Sequence, residues 1–210
     1  MVQKSPGRRL KAQQTRDRML DAAMKLFVEH GYGATTIESI AREAGVAVQT
    51  IYFSFGSKQQ ILKELIDVHI AGDEDPVPTL DRPQVVEALE EEDPRRQLRL
   101  QAHLTRLVFE RVGPLLEVLR NAAATSGDGA ELWEANKSQR TVVQRRFVES
   151  LEAKDALAKG LDVERAVDIS HALLSPELFH LLVTERGWTP QEWEQWVYEG
   201  QCHHLIGPPA

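Results

Sequence analysis

The 210 residues predict an all-α protein, a small three-helix head followed by a larger helical body. Three observations carry this. Apolar residues recur at i, i+3, i+4 and i+7 in one segment after another. Capping patterns and glycine stops punctuate those segments. An acidic, proline-bearing stretch at residues 72 to 94 interrupts the helical pattern between the first part of the chain and the rest.

Residues 1 to 14, MVQKSPGRRLKAQQ, hold Lys4, Arg8, Arg9 and Lys11 and no acidic residue. Pro6 and Gly7 oppose regular structure, so the reading is a mobile basic arm able to meet phosphates or a minor groove. From about Thr15 to His30 the period is helical, with Leu20, Ala23, Met24, Phe27 and Val28 on one face and Gly31 and Gly33 as stops. A second helix of about two turns follows, its stripe being Ile37, Ile40, Ala41 and Ala44. Thr35 with Glu38 three residues on forms a capping box, so the helix starts at Thr35 or Thr36. Gly45 supplies the left-handed residue that ends it.

A third helix is expected from about Ala47 to Phe55, with Ile51 and Phe55 turned inward. Its other face carries Val48, Gln49, Thr50, Tyr52 and Phe53, an odd mixture for plain solvent and a sensible one for a DNA groove. A glutamine can bond two atoms of an adenine edge, a valine can touch a thymine methyl, and Thr36, Thr50 and Tyr52 hydroxyls can reach phosphates. Ser57 and Gln60 make another capping box and place Lys58 in the first turn of a fourth helix. A lysine there opposes the helix dipole, which an anion docked on it would relieve.

The string GVAVQTIYFSFGSK resembles the recognition segment of TetR-family transcriptional regulators, through Gly45, Val46, Thr50, Ile51, Tyr52, Phe55, Ser57 and Lys58. MLDAAMKLFVEHGYGATTIESIAREAGV resembles the part of that family that precedes it, so the resemblance covers residues 15 to 60. Ala47 stands where the family has a serine cap, at a cost of about 1 kcal/mol of local helix stability. Ser54 stands where it has a histidine, which removes one phosphate contact. The resemblance implies a helix-turn-helix DNA-binding domain over residues 15 to 60 and, over 61 to 210, a helical domain for ligand binding and dimerisation.

The fourth helix carries Ile61, Leu62, Leu65, Ile66 and His69. Residues 72 to 94 hold Pro76, Pro78, Pro83 and Pro94, which forbid one continuous helix and leave a short one near Pro83 to Glu91. The acidic runs Asp73 to Asp75 and Glu90 to Asp93 read as a solvated connector, since a metal needs ligands converging on one point. A long helical region follows to Val112, with a break expected at Gly113 and Pro114. Ser126 to Gly129 read as a loop, and a further helix extends to Ala153. Polar or aromatic residues among apolar neighbours, His103, Arg111, Trp133, Phe147 and His171, are candidate pocket residues together with Leu107. The C-terminal part reads as two packed helices, the last opened by Thr189, Pro190 and Glu192. Leu178, Phe179, Leu182, Trp193, Trp196 and Val197 are its candidate dimer surface, and SPELFHLLVTERGWTPQEWEQWV resembles, more loosely, the helices by which many TetR-family members dimerise. Cys202, His203 and His204 neither converge on a metal nor form an oriented nucleophile and base.

Net charge is −7, yet residues 1 to 60 hold 9 Lys+Arg against 5 Asp+Glu while the remainder holds 16 against 27. Such asymmetry is expected when one end of a chain meets a polyanion. One cysteine excludes an internal disulfide and fits a reducing cytoplasm. No apolar run reaches 18 residues, and the basic N-terminus has no export pattern, so no membrane partner is expected. The expected function is a homodimeric repressor without catalytic residues, cofactor or metal. It would bind a palindromic double-stranded DNA operator and respond to a small apolar or amphipathic effector. A DNA-binding scaffold with no effector and a helical metal-dependent enzyme are the alternatives.

Overall fold

The computed structural model describes residues 6–73 and 77–206, with side chains from residue 10 onward. All regular structure among the described residues is helical. The chain forms two compact units, Met1–Val68 with Pro114–Trp133, and His69–Gly113 with Glu134–Ala210.

In the first unit, α1 (Pro6–Ala34) begins earlier than the sequence suggests. Residues 6 to 14 are helical, which corrects the irregular arm: a proline in a first helical turn has no N–H to lose there. The buried face of α1 is Met19, Leu20, Ala22, Ala23, Leu26 and Phe27, whereas Val28 is exposed. Gly31 leaves helical geometry at φ 79° and ψ 165°. The kink strands carbonyls near the end of α1, and the Thr35 hydroxyl donates to those of Leu26 (3.0 Å) and Gly31 (2.8 Å). Thr35 is therefore a buried brace. The cap of α2 (Ile37–Ala44) is Thr36, in a reciprocal box with Ser39, not with Glu38. The stripe Ile37, Ile40, Ala41, Ala44 is buried as expected, and Gly45 ends α2 at φ 66°. The amides of Gly45 and Val46 close back on Ala41 and Arg42 carbonyls, a sharp left-handed stop. There follow α3 (Val48–Phe55) and α4 (Lys58–Ala71). In α4, Ile61, Leu62, Leu65 and Ile66 are buried.

In the second unit a 3₁₀ turn (Thr79–Asp81) and α5 (Pro83–Glu90) occupy the proline-rich stretch. Buried Arg82 grips Asp73 with two nitrogens at 2.8 and 2.9 Å, so that carboxylate is spent on the chain itself. Helix α6 (Pro94–Ala123) continues through Pro114, against the break expected there. The proline forfeits one helical hydrogen bond, while Val112, Leu115, Leu116 and Leu119 around it are all buried and hold the axis. Helix α7 (Gly127–Ala153) starts at Gly127, within the expected loop. Here, in residues 114–133 of the first unit, Gly129 sits so close to α6 that a Cβ there would lie 2.5 Å from the Ala122 carbonyl carbon. Then come α8 (Val163–Leu173), capped by Asp162, and α9 (Pro176–Phe179), capped by Ser175. A π-helical turn (His180–Glu185), α10 (Pro190–Gln201) with its Thr189–Glu192 capping box, and a second π turn (Cys202–Ile206) complete the unit. The apolar stretch Val163–Glu185 has a mean hydropathy of 1.2 and only 33% of its best window is buried. The Ser175 cap and Pro176 break it into pieces.

Two packing features of this unit escape the hydrophobic pattern. Phe109, Phe179 and Trp193 form a cluster with ring centroids 5.0 to 5.7 Å apart. A buried amide ladder runs from Gln201 to Gln101 (2.9 Å), from Gln101 to Gln144 (2.6 Å), and takes the Ser170 hydroxyl at 3.2 Å. The ladder joins α10, α6, α7 and α8 through their interiors.

Candidate nucleic-acid interface

The helix with an unspent face is α3. It turns Ile51 and Phe55 into the head, at 0% and 6% exposure, and leaves Phe53 93% exposed and Tyr52 50% exposed. Gln49 is exposed beside them, as expected of the outer face, while Val48 and Thr50 are half-buried. A bare phenyl ring next to an amide and two hydroxyls makes a poor water surface and a good one for base edges and methyls. Ala47 stands at the start of α3 with no side-chain cap. The Thr36 hydroxyl is exposed and accepts from the Ser39 amide, leaving its own proton free to donate.

Two cations turn inward, and one of them, Lys58, was expected to meet phosphate. The Lys58 ammonium donates to the carbonyls of Tyr32 (2.7 Å) and Thr35 (2.8 Å) and lies 4.2 Å from the Tyr32 ring centroid. Burial lowers its pKa from the ordinary lysine value, with Asp128 pulling the other way. This corrects the placement of Lys58 as a phosphate contact: the kink at Gly31 creates carbonyls that need a donor, and the lysine supplies it. Arg16, which sequence reasoning missed, does the same for α3. Its Nη1 donates to the Ser54 carbonyl at 3.1 Å, its Nη2 pairs with Glu64 of α4, and its Cζ lies 4.3 Å from the Phe55 ring centroid. The available signal is register, since Arg16 stands three and four residues ahead of buried Met19 and Leu20. Lys11 is exposed on α1. The side chains of Arg8 and Arg9 lie outside the described residues.

Of the candidate pocket residues, His103, Arg111, Phe147 and His171 make separate local contacts. Arg111 donates to the carbonyls of His69 and Ile70, both at 3.1 Å, and so ties down the end of α4. His103 Nδ1 lies 3.3 Å from Glu194, which also pairs with Arg106. Phe147 is buried against Val85 and Ala88 in the core, which corrects its reading as a lining residue. Leu107 and Trp133 are half-buried. His171 Nδ1 lies 3.2 Å from the Thr141 hydroxyl, and its pKa is lowered by burial first and by Arg140 second. The dimer set divides. Trp193 and Val197 are 0% exposed and Phe179 is 7% exposed within a single chain, so none has area left for a partner, a correction to the expected interface. The buried stripe of α10 runs Trp193, Val197, Gln201, not through Trp196 and Gly200. Leu178, Leu182 and Trp196 remain half-buried, with Trp196 edge-on to Trp188 at 6.3 Å.

Two short helices joined at a left-handed glycine, the second with an exposed polar and aromatic face, place the head in the helix-turn-helix class. Residues 19–65 match the model of the family described as bacterial regulatory proteins, tetR family. The chain is 46% identical over 55 residues to the HTH-type transcriptional regulator YvkB of Bacillus subtilis, covering 26% of this chain and 29% of that one. It is 29% identical over 164 residues to the HTH-type transcriptional regulator TtgR of Pseudomonas putida, covering 74% of each. Among the curated relatives matched over 55 residues, the shared stretch spans 26 to 41% of the relative's own length. In fold it is similar to NalD of Pseudomonas aeruginosa, the secondary repressor of the MexAB-OprM multidrug efflux pump. The TM-score is 0.73 at 23% identity, over 93% of this chain and 98% of that one.

Proposed function

We propose that this chain is a sequence-specific DNA-binding transcriptional regulator of the cytoplasm. It works as a homodimeric repressor whose hold on a palindromic operator is loosened by a small apolar or amphipathic effector in the helical body. The observation that carries the reading is the outer face of α3, where Phe53 is 93% exposed beside Gln49, Thr50 and Tyr52. In this reading α3 lies in the major groove, Gln49 reads an adenine edge, Val48 and Phe53 touch thymine methyls, and Thr36, Thr50 and Tyr52 hydroxyls meet phosphates. Arg8, Arg9 and Lys11 supply further backbone attraction. One small head binds weakly, and two heads at fixed separation read two half-sites. The half-buried Leu178, Leu182 and Trp196 with exposed Leu181 are the apolar residues left for the second copy. NalD, similar in fold, is a repressor of a multidrug efflux pump, the precedent for reading this chain as a repressor. An effector that favours the non-binding arrangement by about 3 kcal/mol lowers operator affinity about a hundredfold.

The test is selection of random-sequence duplexes on the purified chain, followed by titration of the recovered palindrome. Gln49→Ala is expected to cost roughly 1 to 3 kcal/mol and to relax selectivity at one position of each half-site. Recovery of no preferred sequence, or an unchanged preference in the variant, overturns the assignment.

A further inference from the structure

We infer that Arg16, on α1, is a positioning residue for DNA reading, joined to Glu64 of α4 as one unit that sets where the recognition helix ends; this rests on the DNA reading above. A helix C-terminus leaves carbonyls without intrahelical donors. In α3 the chain turns away at Gly56 (φ 78°), whose amide returns to Tyr52, and the Ser54 carbonyl takes its hydrogen bond from Arg16. The guanidinium is planar, so one edge can serve Ser54 and the other Glu64 while its face lies over Phe55. Each of the three contacts constrains the other two. Arg16 and Glu64 are 33% and 22% exposed, too sheltered to be a surface pair that water screens away.

Ser54 and Phe55 directly follow the bare residues Tyr52 and Phe53, so a shift at Ser54 moves the reading face. Glu64 lies on α4 and makes no part of that face. A carboxylate that holds the arginine thereby acts on DNA binding at one remove, and a displacement of α4 reaches α3 through the same guanidinium.

A direct phosphate contact by Arg16 predicts the opposite sign, which makes the experiment decisive. With the palindromic duplex selected on the full-length chain, Kd is measured for the parent, Glu64→Gln, Arg16→Met and the double variant between 50 and 300 mM salt, alongside thermal melts. Positioning predicts that Glu64→Gln weakens binding about threefold to tenfold and that Arg16→Met weakens it about tenfold. The double variant is then no worse than Arg16→Met, and the salt slope is unchanged throughout. If Arg16 instead bound phosphate, removing the competing carboxylate in Glu64→Gln would tighten binding, and Arg16→Met would lower the salt slope by about one. Either result overturns the inference, as does parent-like affinity in Glu64→Gln. Should Arg16→Met fail to fold, the sign of the Glu64→Gln effect decides alone. Failure to select any duplex overturns the DNA reading itself, and this inference with it.

Discussion

Lys58 stands in the first turn of α4 and turns its ammonium away from that helix. A lysine in the first turn of α4 opposes the dipole of its own helix, which points to an anion. Its ammonium serves instead the C-terminal end of another helix, where carbonyls freed by the kink at Gly31 concentrate negative potential. Lys58→Ala is therefore expected to cost about 1 to 2 kcal/mol of folding stability, read by thermal denaturation, with the salt slope of operator binding unchanged. A slope lower by one, with parent-like melting, would return the residue to the phosphate backbone. The exposure of Gln49, Tyr52 and Phe53 was legible from sequence because an outward face needs no partner in the chain to be identified. Lys58 and Arg16 were not, because their partners lie 23 to 48 residues away and are in large part backbone carbonyls, which are the same at every position.

At the scale of elements, local chemistry predicted most of what forms. The α2 stripe, the Gly45 stop, the Ser57 cap on the Gln60 amide and the Thr189–Glu192 box all follow from spacing alone. The errors fall where two local signals compete. Thr35 and Thr36 are equally good caps, and the neighbouring carbonyls of α1 decide between them. Gly113 with Pro114 reads as a stop, and burial on the flanking turns overrides it. The uncapped start of α3 is a weakness that can be repaired. Ala47→Ser restores a side-chain acceptor at the N-cap and is expected to raise stability by about 0.5 to 1 kcal/mol, measured as a higher Tm. The Thr50 amide already donates to the Ala47 carbonyl at 2.9 Å, and no gain would mean that the Val48 and Gln49 amides need no further acceptor either.

For the whole molecule, the apolar pattern gave the helices of the body and not their faces. Trp193, Trp196, Val197 and Gly200 share one helical stripe on paper, yet the buried set is Trp193, Val197 and Gln201, four residues apart. A glutamine inside the core is invisible to a hydrophobic stripe, and here it is the rung that fixes the rotation of α10 against Gln101. Substitutions separate the two tryptophans. Trp193→Ala empties a fully buried site and is expected to cost about 3 to 5 kcal/mol. Trp196→Glu is expected to leave the fold melting like the parent and to yield monomers in sedimentation. A dimer that survives Trp196→Glu places the two-fold contact elsewhere on the chain.

The phenyl ring of Phe53 stands almost wholly in water, at a cost of about 2 kcal/mol against a dry setting. In the proposed reading, a copy off DNA keeps that adhesive spot uncovered and is expected to cling to greasy surfaces. On that reading, the quantity of this protein that stays dissolved is expected to rise with the duplex at hand to shelter it.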